Sequence, residues 1–500
     1  MMLEHIMNST AVFLENMPKT KRKKKGQFFT SKETAEFMAN LFDFESFGNT
    51  VNLLDPGAGT GILTAAFVDR AISSGHITRL NITCYENDEE VLPVLRDNLE
   101  HIKNNANIEV SYRILEDDYL LSQANDFEEN LLASKNPTKY DAVIGNPPYL
   151  KVMRDDSTAQ SMPTVVHGAP NLYFLFASMS LFNLDDNRDM VYIIPRSWTS
   201  GEYFKAFRNY FLSRGRLQHI HLFVSRDKVF SQEQVLQETI IIKVRKTDIT
   251  NENVVITSSQ SNSDFNDITR IEVPYTSVVT GKNLYVFLPT NENEIDTIQK
   301  INTYTQTLPE VGYRMRTGIV VDFRQRDELR EAPGEHIIPL FYSQHIKNGR
   351  VNHEESGKDA DWIVDSKPGL IQPNENYVFC KRFTAKEERR RLQCGIYLSA
   401  DFPQYDYIGT QNKINYVNRV DKNPLDSTEA YGLYALLNST LFDQYYRILN
   451  GSTQVNSTEV NSIPVPSETV IRNIGSRLIE AGELSTELCN EIVREEAYCE

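Results

Sequence analysis

Short apolar runs rich in β-branched residues recur along the first half of the chain, each followed by a turn and a stretch of helical spacing. Runs at 51–54, 80–86, 109–115 and 141–145 read as buried strands, and 190–194, 218–224 and 239–244 continue the series. Helical periodicity starts after Thr30 or Ser31 as N-cap, resumes at Ile62, and is strongly apolar over 171–184. This alternation over roughly 27–245 predicts an α/β, doubly wound, Rossmann-like domain. Residues 247–267 are rich in Asn, Ser and Asp and read as a linker or surface excursion. Beyond them the βα rhythm stops, and short β runs with a helix near 429–448 predict a second, mixed α+β domain. The expected divisions are a basic flexible leader at 1–25, a first domain at 26–246 and a second at 247–500.

Composition narrows this picture only a little. At 500 residues, two or three domains are expected, and 40% hydrophobic with 24% charged residues is ordinary for a globular protein. No apolar run is long enough to span a bilayer, and the start lacks a signal-peptide core. Cys84, Cys380, Cys394, Cys489 and Cys499 are scattered without a C-x-x-C pair, which argues against zinc or a disulfide framework and fits a cytoplasmic protein. The formal charge of −16 disfavours nucleic acid at first sight, yet phosphates are met by local patches. Two such patches exist, Lys19 to Lys25 and Lys381 to Arg391.

The candidate chemistry sits at strand ends. The first strand runs into Asp55-Pro56-Gly57-Ala58-Gly59-Thr60-Gly61 and then a helix, the arrangement in which glycines let a nucleotide approach the backbone. Asp55 is unusual there, because a carboxylate repels pyrophosphate and attracts an ammonium. The second strand ends in Glu86, positioned for ribose hydroxyls. An amino-acid end and a nucleoside end describe S-adenosylmethionine better than NAD. After the third strand, Asp117 or Asp118 could accept from an adenine amino group, or could cap a turn. The fourth strand ends in Asn146-Pro147-Pro148-Tyr149: two prolines stiffen the loop, and an amide oxygen beside an aromatic ring suits a planar amine. A packed Pro-rich turn would look the same in isolation.

Taken in order, Gly-Gln-Phe-Phe-Thr at 26–30, the Asp55 block, Tyr-Glu-Asn-Asp at 85–88, Asp-Tyr-Leu at 118–120 and Asn-Pro-Pro-Tyr at 146–149 resemble the gamma class of DNA N6-adenine methyltransferases. Asn-Leu-Tyr at 171–173, Ile-Ile-Pro-Arg-Ser-Trp at 193–198, the 381–391 segment and Gly-Ser-Thr-Gln-Val-Asn at 451–456 are similar to stand-alone type II modification enzymes, most of all the BsuBI/PstI type. The resemblance implies that Thr30, Asp55, Gly57, Gly59, Glu86 and Asp118 hold S-adenosylmethionine. It implies that Asn146, Pro147, Tyr149 and Phe230 hold a flipped adenine. By the same resemblance the 247–500 domain is a target-recognition domain for double-stranded DNA. Lys381, Arg382, Arg389, Arg390 and Arg391 are its candidate DNA contacts, with no metal required. The likeness further implies a functional pairing with a cognate restriction endonuclease and the palindrome CTGCAG. Methylation of an RNA base or of a protein glutamine amide is the competing reading, since the same loop serves both. A fused nuclease is not expected, because only about 25 residues precede Gly26.

Overall fold

The computed structural model describes residues 1–18, 26, 28–127, 138–223, 239–249, 252–261, 265, 267–385 and 388–497. They form two compact units, Met1–Thr199 with Tyr203–Thr290, and Ser200–Glu202 with Asn291–Glu500.

The first unit is built on a nine-stranded sheet. Its elements are α1 (Met2–Glu15), α2 (Lys32–Asn40), β1 (Thr50–Pro56), α3 (Ile62–Ser74), β2 (Arg79–Tyr85), α4 (Leu92–Asn105), β3 (Glu109–Leu115), β4 (Tyr140–Gly145), α5 (Leu172–Asn183), β5 (Leu184–Pro195), α6 (Lys205–Arg214), β6 (Gly215–Phe223), β7 (Thr239–Lys246), β8 (Asn253–Ser259) and β9 (Thr269–Pro274). The strand order is β3-β2-β1-β4-β5-β7-β6-β8-β9. The five strands from β3 to β5 are parallel, and β7 joins them antiparallel. The order reverses at β1, so the carboxyl ends of β1 and β4 flank the switch point where open α/β sheets bind ligands. The expected doubly wound fold is therefore present. Val51, Leu53, Val143 and Ile144 are fully buried along these central strands, as continuous apolar runs between two helical layers should be.

Two expected divisions shift. The stretch read as a linker contains β8, which pairs in parallel with β6, and β9 pairs onto β8. The first unit therefore ends at Thr290 rather than at 246. The leader is also shorter than expected, because α1 packs on α3 and α4, with Leu3 and Ile6 buried. Its first backbone N–H groups are capped from a distance: Met2 and Leu3 N–H donate to the Asp69 carboxylate at 2.9 and 3.0 Å. The basic run from Lys19 to Lys25 lies outside the described residues.

The second unit is mixed α+β, as expected. A six-stranded sheet runs in the order Tyr313–Thr317, Ile414–Arg419, Tyr377–Lys381, Cys394–Tyr397, Arg350–Val351, Ile346–Lys347, and a five-stranded sheet accompanies it. Its longer helices are α7 (Glu292–Ile301), α8 (Ser427–Asn438), α9 (Thr440–Leu449), α10 (Glu468–Ala481) and α11 (Thr486–Ala497). Helices α8 and α10 meet at Gly432 and Gly475, where an added Cβ would stand 2.0 Å from the Ile471 carbonyl oxygen and 1.8 Å from that of Thr428. Only glycine permits that approach. Among the described residues, no helix is long and apolar enough to cross a membrane.

Candidate active site

Where β1 ends, the chain turns through three left-handed glycines, Gly57 (φ +73°), Gly59 (φ +57°) and Gly61 (φ +87°). Gly57 and Ala58 N–H both donate to the Tyr85 carbonyl at 2.9 Å, which ties this turn to the end of β2. Asp55 lies beneath it, 1% exposed. Its Oδ2 accepts from the Thr64 hydroxyl at 2.7 Å, whereas Oδ1 is buried with no hydrogen-bond partner among the described residues. Burial raises its pKa from 3.8 to about 7, only partly opposed by the Thr64 bonds. An orphaned carboxylate oxygen of this kind calls for a cation.

Glu86 stands across the turn. Its Oε2 accepts from Gly59 N–H at 3.0 Å and its Oε1 from Asp88 N–H at 2.8 Å, so the carboxylate is fixed with lone pairs to spare. Burial raises its pKa, and these backbone donors pull it back. At the end of β3, Asp118 Oδ1 accepts from Leu120 and Leu121 N–H, both at 2.9 Å, leaving Oδ2 for a ligand, while Asp117 is exposed.

The amide of Asn146 is held in one orientation. Its Nδ2 donates to the Phe28 carbonyl at 2.7 Å and to Thr30 Oγ1 at 3.1 Å. A carbonyl oxygen can only accept, so the amide nitrogen must face Phe28, and Oδ1 points the other way. That oxygen accepts from the Tyr149 hydroxyl at 2.9 Å, and the same hydroxyl lies 3.0 Å from the Ile193 carbonyl. Tyr149 itself is 7% exposed, its ring tilted against Phe28 and edge-on to Tyr173. Its backbone N–H donates to the Gly26 carbonyl, and a Cβ at Gly26 would press to 3.1 Å from that nitrogen.

One cavity of about 900 Å³ joins these groups, a size suited to a cofactor with room beside it. Thr30, Asp55, Gly57, Gly59, Glu86, Asp118 and Asn146 all line it. The buried Pro147 and Tyr149 flank the lining residues Asn146 and Pro148. Phe230 falls outside the described residues. The sequence reading missed Phe29 and Phe176, which supply apolar walls; Phe29 sits in the Gly26–Thr30 block and Phe176 on the apolar α5, where it looked like core. The five basic candidates of the second unit differ in fate. Arg389 is exposed and Lys381 half-buried. Arg382 and Arg390 are partly tied to the carbonyls of Asn412, Leu437 and Ser439. Arg391 is 1% exposed and points inward, because its guanidinium satisfies Thr384, Asn450 and Ser452.

Fold and site together are those of an S-adenosylmethionine-dependent methyltransferase, with an unpartnered Asp55 oxygen and an anchored Glu86 carboxylate in the cavity. Residues 67–230 match the family described as Eco57I restriction-modification methylase. The type II methyltransferase M.BsuBI of Bacillus subtilis is 36% identical over 460 residues, covering 91% of this chain and 90% of its own. M.PstI of Providencia stuartii is 35% identical over 487 residues, covering 96% and 94%. The chain belongs to the type II DNA methyltransferases of restriction–modification systems. In fold it also resembles the type IIL enzyme MmeI, solved in complex with DNA, at a TM-score of 0.53 and 12% identity over 99% of this chain and 74% of that one. The RNA and protein-amide readings fall away with this membership.

Proposed function

We propose that the chain methylates the N6 amino group of an adenine flipped out of duplex DNA, at CTGCAG, and so protects that site from a cognate endonuclease. The observation that carries the reading is the fixed Asn146 amide with its oxygen turned away from Phe28 and Thr30.

An exocyclic amine is a weak nucleophile because its lone pair is shared with the ring. Asn146 Oδ1 accepts one of its N–H bonds and the Pro147 carbonyl the other, which draws the nitrogen toward tetrahedral geometry. The charge that develops on nitrogen is stabilised by the same two oxygens. Tyr149 gives up Asn146 Oδ1 without losing a bond, because its hydroxyl turns to the Ile193 carbonyl. Extracting the base costs a few kcal/mol, and stacking on aromatic rings at about 1–3 kcal/mol per base offsets part of it. The bound cofactor supplies an activated methyl on its sulfonium. Asp55 and Glu86 position it, and the apolar walls of Phe29 and Phe176 exclude water.

The test is incubation with radiolabelled cofactor and duplex DNA, followed by nucleoside digestion. Label is expected in N6-methyladenine, with protection of CTGCAG sites, and Asn146→Ala should abolish both. Label in a methylated cytosine, or full activity in Asn146→Ala, would overturn the proposal.

A further inference from the structure

Three loops leave the same end of the six-stranded sheet. Residues 318–325 follow the strand Tyr313–Thr317, residues 382–384 follow Tyr377–Lys381, and residues 411–413 precede Ile414–Arg419. The 452–456 loop after α9 joins them. Backbone bonds stitch the four together: Asn412 N–H to the Val320 carbonyl at 2.8 Å, Arg382 N–H to that of Lys413 at 2.9 Å, and Val455 N–H to that of Arg382 at 2.7 Å.

This rim exposes what a core would hide. Phe323 is 64% and Phe383 45% exposed, the only phenylalanines among the described residues that stand out so far. Each has a guanidinium beside its ring, Arg324 at 5.5 Å and Arg382 at 5.8 Å. Lys413 is exposed on the 411–413 loop. Gln454 spends its backbone on Ser452, Asn450 and Tyr446, and its side-chain amide bonds no described group. In a chain of net charge −16, the rim gathers cations, and its one acid, Asp322, is engaged by the Gln411 amide.

Flat rings, cations and an unspent amide together fit nucleic acid: rings stack on bases, cations meet phosphates, and a glutamine amide pairs with a base edge. We propose that this rim is the surface with which the second unit reads duplex DNA, with Phe383 wedged against bases, Lys413 on a phosphate and Gln454 on a base edge. The proposal rests on DNA being the substrate, and goes beyond it by naming the reading residues.

Fluorescence anisotropy with duplex DNA over a salt series, together with sequencing of methylated positions, tests it in the full chain. Phe383→Ala should bind about tenfold more weakly or worse. Lys413→Ala should lower the slope of log affinity against log salt by about one. Gln454→Ala should keep its affinity for random duplex and methylate additional sequences. Wild-type affinity, salt slope and target sequence in all three would overturn the rim. Wild-type protein that binds duplex tightly yet transfers no methyl would instead overturn the methylation reading, while the three variants still report on the rim.

Discussion

Asn146 Oδ1 and the Tyr149 hydroxyl lie 2.9 Å apart, so the oxygen assigned to the proposed target amine is held by a neighbour three residues away. The hydroxyl has one proton and two acceptors, Asn146 Oδ1 and the Ile193 carbonyl. In the proposed mechanism it acts as a placeholder that yields when the base arrives. Tyr149→Phe should therefore keep turnover within about fivefold of wild type, at a stability cost of about 1 kcal/mol for the bond lost to Ile193. Tyr149→Ala, which opens a void between Phe28 and Tyr173, should lose turnover by about a hundredfold while still binding cofactor. Steady-state kinetics with titration of S-adenosylmethionine check both. Loss of turnover in Tyr149→Phe equal to that in Tyr149→Ala would assign the hydroxyl a larger part.

Thr30 lines the cavity and also anchors Asn146, since its Oγ1 is one of two acceptors for Asn146 Nδ2. Thr30→Val keeps the shape and removes the acceptor, leaving the amide on Phe28 alone. We expect kcat to fall about tenfold, as befits a lost hydrogen bond of about 1.4 kcal/mol, with Thr30→Ser restoring it. If cofactor affinity falls and kcat does not, Thr30 serves the cofactor only.

The acids that line the cavity could be picked out in the sequence because each lies at or within three residues of the end of an apolar strand, and strand ends in such sheets converge. Less could be read where partners come from far along the chain. Residues 253–259 look like linker because Thr257 and Ser259 are polar, yet both are buried, bonded to His219 and His221 on β6. Helix α1 has only a narrow apolar face and owes its cap to Asp69. The 381–391 cluster reads as a uniform basic patch, and nothing local marks Arg391 as the member that turns inward.

That difference within the cluster is measurable. Arg391 fills a buried site over Tyr446 and donates to the Ser452 carbonyl at 2.7 Å, so Arg391→Ala strands several buried acceptors. It should destabilise the protein by about 3 kcal/mol in urea unfolding and loosen the 452–456 loop. Arg389→Ala should stay within about 0.5 kcal/mol, since its ion pair with Glu487 is exposed. Equal effects would mean that the burial of Arg391 contributes nothing.

Asp55 makes the strongest demand on pH. Burial raises its folded pKa to about 7, against 3.8 when exposed. Between those values the folded protein holds a proton that the unfolded chain has released, so stability falls as pH rises through that window. Above about pH 7 the penalty is complete, on the order of 4 kcal/mol. A cationic ligand acts in the opposite sense, because it pairs with the ionised form. Affinity for S-adenosylmethionine should therefore strengthen up to about pH 7, by as much as tenfold for each pH step, and level off above it. Binding below pH 7 should release a proton, visible by calorimetry in buffers of different ionisation enthalpy. Asp55→Asn should remove the pH dependence and weaken the cofactor, yet leave the ligand-free protein more stable than wild type at pH 8. An affinity that is flat from pH 5.5 to 8.5 in wild type would show that Asp55 is not the group that meets the ammonium.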